Sequence, residues 1–214
     1  MDLMKETIRY LGYGKNRPDD TVLGLIEEAL AEVEAATDFR SVLRRFPMTL
    51  RGTSVTAGGL TLTSANLTKN LAGCEEVLFY AATLGVGVDR LLNRNLKLHI
   101  AKAAVIQAAA AAYIEECIDR ELSELSESLA KEGMYLRPRF SPGYGDLSLT
   151  VQGEFLQVLE AAKRIGLTLS EGGIMLPEKS VTAIIGISCR DDQCPVQGCE
   201  SCGKTNCAFR RCPG

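Results

Sequence analysis

"EVLFYAATLG", Glu76 to Gly85, is the stretch on which the fold turns. It is an apolar run of strand length without polar alternation, which reads as a strand covered on both faces in the middle of a sheet. Gly85 ends it, and a short helix is expected from there through Asp89 to Leu92. Just upstream, "TSANLTKNLAGC" (Thr63–Cys74) reads as a helix with Ser64 before it and Gly73 after it. Before that, "RRFPMTLRGTSVTAGGLTL" (Arg44–Leu62) holds two β-rich runs around Arg51-Gly52, the pattern of a hairpin.

Downstream, the pattern predicts one long helix from about Lys97 to Lys131, stopped by Gly133. At 1.5 Å per residue it would span about 50 Å. Its first half, "IAKAAVIQAAAAAYI", is apolar almost all round and should be buried. Its second half is charged and amphipathic and should emerge to solvent. At the start of the chain, a short helix is expected to end at Gly12. An amphipathic helix capped by Asp19 or Asp20 should follow, with Leu23, Ile26, Ala29, Leu30 and Val33 on one face. Near the other end, "SLTVQGEFLQVLEAAKRIGLTLS" (Ser148–Ser170) predicts an amphipathic helix with Phe155, Leu156, Leu159 and Ala162 inward. "GIMLPEKSVTAIIGIS" (Gly173–Ser188) predicts a hairpin turning at Pro177–Lys179. Strands in hairpins interleaved with helices give an α+β fold: a mainly antiparallel, twisted sheet with a long buried helix and flanking helices.

Composition sets limits on function. Hydrophobic residues are 46% and charged residues 24% of 214, which is the balance of a globular chain with a core of its own. The formal net charge of -3 gives no basic field for nucleic acid. The longest apolar stretch contains Lys102 and is too short and Ala-rich for a membrane span. "MDLMKETIRY" carries no signal-peptide core, so a cytoplasmic protein is expected.

Three features invite a site. "TLGVGVDR" (Thr83–Arg90) follows a strand, but the dinucleotide fingerprint requires Gly where Arg90 stands, so it reads as a tight strand-to-helix turn. His99 is the only histidine and has no nucleophile motif to serve, which favours a structural or surface role. The third feature is the tail. Six of the eight cysteines, Cys189, Cys194, Cys199, Cys202, Cys207 and Cys212, crowd into residues 189–214, a segment read as distinct from the domain spanning 1–188. Thiolates grouped this way suit Zn or an iron–sulfur cluster, and the other reading is a thiol-rich tail without a metal.

One further stretch is "RPRFSPGYGD", Arg137 to Asp146. Its prolines and glycines exclude a helix and an inner strand. Arg137 and Arg139 offer forked donors for a carboxylate or phosphate. Gly143 and Gly145 carry no side chain to block a ligand's approach to the main chain, and Tyr144 between them adds a flat surface. Spacing alone leaves two readings open, a ligand loop or a plain connecting turn.

At these residues the chain resembles a known family. "RFSPGYG" (Arg139–Gly145) is similar to the Arg-x-x-Pro-Gly-Tyr signature of the activation domain of vitamin B12-dependent methionine synthase. "LAGCEEVLFYAATLG" (Leu71–Gly85), the long helix before the signature, and "IGLTLSEGGIMLPEKSVTAIIGIS" (Ile165–Ser188) resemble that family too, so the likeness runs over most of residues 1–188. The resemblance implies a domain that binds S-adenosylmethionine and caps the oxidised cobalamin of the synthase. An external electron donor such as flavodoxin or ferredoxin reduces the cobalt, which then takes the methyl group of S-adenosylmethionine. On this likeness Arg139 grips the ligand carboxylate, Ser141 and Gly143 give main-chain contacts, and Tyr144 lies near the sulfonium, with Arg137 a bystander. The chain departs from the pattern in lacking an acid on the preceding helix, where Gln107 or Ala108 stands and Glu115 and Glu116 lie further on. The expectation is a free-standing reactivation protein within a methyltransferase system. It would act on a cobalamin-dependent methionine synthase in methionine biosynthesis, with an iron–sulfur cluster or Zn in the tail. Two other expectations are a reactivator of another corrinoid methyltransferase and a non-catalytic metal-binding or corrinoid-docking adaptor.

Overall fold

The computed structural model describes residues 2–14 and 16–190. In chain order come helices α1 (Leu3–Tyr10) and α2 (Asp20–Ala36), then strands β1 (Arg40–Arg51), β2 (Ser54–Ala57) and β3 (Leu60–Thr63). Helix α3 (Ala65–Asn70), strand β4 (Glu76–Thr83) and helices α4 (Val86–Leu98) and α5 (Ile100–Ala130) follow. Strand β5 (Tyr135–Leu136), helices α6 (Gln152–Val158) and α7 (Ala161–Ile165), and strands β6 (Thr168–Leu169), β7 (Met175–Leu176) and β8 (Ser180–Ser188) complete the described chain. Residues 2–39 with 84–120 form one compact unit, and residues 40–83 with 121–190 form another. Among the described residues no helix is long and apolar enough to cross a membrane.

The first unit is helical. Asp2 caps α1 through Lys5 N–H at 3.1 Å, and Asp19 caps α2 through Val22 N–H at 2.9 Å. The predicted inner face of α2 is in place, with Ile26, Ala29 and Val33 fully buried. Helix α2 packs against α4, whose buried side is Val88, Leu91, Leu92 and Asn95. The Gly-x-Gly of "TLGVGVDR" has a packing explanation. Gly85 takes φ +81 at the start of α4, and a Cβ on Gly87 would lie 2.2 Å from the carbonyl oxygen of Ala36. These glycines let the end of α2 touch the start of α4, and no phosphate is needed to account for them.

The long helix differs from expectation at its start. Its first residues belong to α4, which ends at Leu98, and His99 (φ -149, ψ 81) separates the two helices. Neither Pro nor Gly stands there, so the break left no mark in the sequence. In α5, Ala103, Val105, Ile106, Ala109, Ala110 and Ala112 are buried, while Ala101, Ala104 and Gln107 form an exposed stripe. Lys102 joins α5 to α2 by ion pairs to Glu28 at 2.7 Å and Glu32 at 2.8 Å.

The second unit is built on an antiparallel sheet of order β3-β2-β1-β4-β8-β5. Strand β4 lies inside it as expected, paired along its whole length with β1 and with β8. The single expected hairpin is two. Strand β1 turns at Gly52-Thr53 into β2, and β2 turns at Gly58-Gly59 into β3. On one face of β4, Val77, Phe79 and Ala81 join a core completed by α6 and α7. Phe79 sits between the rings of Phe46 and Phe155, with centroids 5.1 and 4.7 Å away.

Two further expectations are corrected. The helix expected over Ser148–Ser170 is broken by Glu160 in the left-handed region (φ 53), which separates α6 from α7. The break shifts the helical phase, so Ala161 is buried and Ala162 is exposed. Arg44 Nη1 donates to the carbonyl of Val158 at 2.5 Å, which satisfies an acceptor at the end of α6. The expected hairpin turning at Pro177–Lys179 does not form. Met175 and Leu176 pair instead with Leu169 and Thr168, and β8 enters the main sheet beside β4.

The glycine contacts predict opposite signs for two substitutions. Gly87→Ala should destabilise the chain by about 1–3 kcal/mol, because the new methyl meets main chain that cannot move aside. Gly24→Ala, within α2 and with nothing within 4 Å of its Cβ position, should stabilise it by about 0.5–1 kcal/mol. Urea midpoints of the two variants check both signs.

Candidate functional site

The candidate loop lies wholly within the second unit. After α5, Gly133 (φ +72) reverses the chain into β5, which pairs with β8. Arg137 N–H donates to Gly186 at 2.8 Å, and Phe140 exchanges two main-chain bonds with Ile184 at 2.9 and 2.8 Å. The segment takes three residue steps from Arg137 to Phe140 where β8 takes two from Gly186 to Ile184, so the ladder bulges at Pro138 and Arg139. The segment then leaves the sheet. Pro142 is buried, Gly143 takes φ +86, and Tyr144 N–H closes back on Ser141 at 3.0 Å. Pro followed by a positive-φ Gly is the composition of a type II turn. A second turn follows with Gly145 at φ +58, closed by Leu147 N–H on Tyr144 at 3.1 Å. Gly143 N–H donates to Leu147 at 2.9 Å and locks the two turns together.

Both glycines are therefore required by backbone conformation. Neither opens space for a ligand on its Cβ side. A Cβ on Gly143 would lie 2.9 Å from two atoms of Leu149, and one on Gly145 would lie 2.6 Å from Asn66 Nδ2. What the loop does present is its outer surface. Ser141 N–H and Gly143 C=O make no hydrogen bond among the described residues. Tyr144 is 55% exposed and stands edge-on to Phe140 with centroids 5.4 Å apart. Arg139 is half-buried. A cavity of about 420 Å³ lined by Leu156, Glu160, Leu167 and Leu169 lies elsewhere in this unit and includes none of the loop residues.

Arg137 has a structural place. It is 7% exposed, and Nη2 donates to the carbonyl of Ala72 at 3.4 Å. Gly186 makes room for it, since a Cβ there would meet Arg137 Cγ at 3.0 Å and Cys74 Sγ at 2.7 Å. In the first unit, Gln107 is exposed and Ala108 is buried. Of the six tail cysteines, Cys189 is exposed with a free thiol, and Cys194, Cys199, Cys202, Cys207 and Cys212 lie outside the described residues. Among the described residues no three His, Cys, Asp or Glu side chains gather as a metal site.

Asp146 is the residue that sequence reasoning missed. Its carboxylate accepts from Ser64 Oγ, from Ala65 N–H at 2.7 Å and from Asn66 N–H at 3.2 Å, all at the start of α3. Ser64 Oγ in turn accepts from Leu67 N–H at 2.9 Å. The hydroxyl of Ser64, aided by the amides of Asn66 and Ala65, holds the Asp146 carboxyl below its ordinary value. The partners lie some eighty positions apart in sequence, so no local pattern could have linked them.

With this geometry in view, solved structures supply the comparison. A crystal structure of the MetH reactivation domain bound to AdoHcy matches 89% of this chain and 77% of its own, with a TM-score of 0.60 and 16% identity. The chain has the fold of the MetH reactivation domain. No protein-family model matches the sequence, and no curated protein sequence is significantly similar to it. The expected α+β, mainly antiparallel architecture with its long helix is that of the MetH reactivation domain as well.

The depressed Asp146 value carries a sign. The charged carboxylate favours the folded loop above the unfolded-chain value of about 3.9, and that contribution is lost as pH falls through the lower folded value. An NMR titration should give Asp146 a midpoint below that of an ordinary Asp. The amide shifts of Ala65 and Asn66 should move with the same midpoint.

Proposed function

We propose that this chain is a reactivation protein for a cobalamin-dependent methionine synthase and that its Arg139–Tyr144 loop binds S-adenosylmethionine. The observation that carries the reading is the shared fold with a reactivation domain crystallised with AdoHcy. The shape of the loop supports it, because two interlocked turns hold Ser141 N–H and Gly143 C=O in fixed positions at the surface. In this reading the Arg139 guanidinium takes the ligand carboxylate as a forked donor. Ser141 and Gly143 supply a main-chain donor and acceptor. The exposed ring of Tyr144 gives the cationic sulfonium a π surface.

A partner protein would hold the cobalamin, which once reduced would supply the nucleophile for the methyl group and leave S-adenosylhomocysteine. The loop therefore needs no general base, and its task is to hold and orient the methyl donor. The proposal extends to the cysteines from Cys189 to Cys212 as holders of an iron–sulfur cluster or Zn. It also includes an electron donor such as flavodoxin or ferredoxin and a cytoplasmic setting. Anaerobic purification with iron, sulfide and zinc analysis tests the tail. A metal-free tail would remove that part of the proposal.

Calorimetry tests the ligand. The intact chain should bind AdoHcy and S-adenosylmethionine. Arg139→Ala should weaken both at least tenfold, about 1.4 kcal/mol, with an unchanged circular dichroism spectrum. No binding at millimolar ligand would overturn the reading and favour a docking adaptor.

A further inference from the structure

Helix α3 has only six residues, too few to be stable alone. Leu67 and Leu71 anchor it, both fully buried in the core of the second unit. Its two ends do something the core does not require. At its start, Ser64 Oγ, Ala65 N–H and Asn66 N–H donate to the carboxylate of Asp146. At its end, Asn70 Nδ2 donates to the carbonyl of Pro138 at 3.2 Å. Pro138 and Asp146 bracket Arg139, Ser141, Gly143 and Tyr144. One short helix thus holds the loop on both sides. The attachment is close, with Asn66 Nδ2 2.6 Å and Asn66 Cβ 3.3 Å from the Cβ position of Gly145.

We infer that α3 is a brace that fixes the loop in its binding shape before any ligand arrives, with Asp146 as the positioning residue on which the brace depends. The inference rests on the reading of Arg139–Tyr144 as an S-adenosyl ligand loop. Two glycines at positive φ give a free loop many conformations, and ordering it on binding would weaken affinity. A loop held at both ends has lost that freedom on folding. Asp146 is suited to the task because both of its oxygens are committed to α3, Oδ1 to Ser64 and Asn66 and Oδ2 to Ala65. Its replacement reaches the ligand only through the shape of the loop.

The test uses the intact chain with AdoHcy and two readouts, calorimetry and amide hydrogen exchange. Asp146→Ala should weaken AdoHcy at least tenfold. In ligand-free protein it should also speed exchange at Gly143, Tyr144 and Leu147, whose N–H groups close the turns. Asp146→Asn keeps one acceptor oxygen and should fall between wild type and Asp146→Ala. AdoHcy added to wild type should slow exchange at Ala65 and Asn66, a coupling that a carboxylate serving stability alone would not show. If Asp146→Ala fails to fold, Gly145→Ala replaces it, since its new Cβ presses on Asn66. Equal AdoHcy affinity in wild type and variant, or unchanged exchange in the loop, overturns the brace. If wild type itself binds no AdoHcy, the loop has been misread as a site, and the exchange rates alone decide whether α3 braces it.

Discussion

Strand β4 is buried on both faces, and the second unit is arranged around satisfying it. Its backbone is committed to β1 on one side and β8 on the other. Its side chains must then find apolar cover in two directions. Phe79 finds it between Phe46 and Phe155, which draws α6 onto the sheet. Tyr80 presents the harder case, because it is fully buried and carries a hydroxyl. An unsatisfied buried hydroxyl would cost about 1–3 kcal/mol. Glu121 of α5 accepts from it at 2.6 Å and accepts from Ser41 of β1 at 2.5 Å. One carboxylate therefore joins two neighbouring strands to the charged half of α5, where an apolar residue would have left both hydroxyls unpaired.

The legible part of the fold is the part whose information is local. The β4 run, the Asp19 and Ser64 caps and the buried face of α2 each follow from residues a few positions apart, and each stands where the pattern put it. What escaped depends on distant partners. Glu160 breaks a well-patterned helix, and the freed end of α6 is completed by Arg44 from β1. "GIMLPEKSVTAIIGIS" has two β-rich runs about a turn, yet β8 pairs with β4 over eight residues while β7 pairs with β6. Which distant strand a run pairs with is not encoded in the run itself.

The loop was legible in composition and misleading in detail. Pro142 and Gly143 announce a turn, and a turn is there. The two glycines suggest open space for a ligand, yet that space is filled by Leu149 and Asn66. Arg137 and Arg139 look alike in sequence, but Arg137 is buried against the Ala72 carbonyl beneath the loop and Arg139 is half-buried on it. Asp146 drew no reading from the sequence, yet its carboxylate ties the loop to the start of α3. Nothing within ten residues of Asp146 could reveal this, since its partners lie at the start of α3.

It follows that Pro-Gly-x-Gly in this chain is a signature of shape more than of chemistry. Its glycines meet the demands of two interlocked turns and of close packing, and those demands would be the same if no ligand ever bound. In the proposed reading, chemistry enters through the half-buried Arg139, the exposed Tyr144 ring and two main-chain groups. On the proposed reading, changing Arg139 would remove the ligand's partner and leave the turns, whereas releasing the loop from α3 would leave Arg139 and lose the shape. Shape and chemistry are therefore separable here. The glycine pattern alone carries little functional information, and the pairing of a fixed loop with a forked donor beside it carries much more.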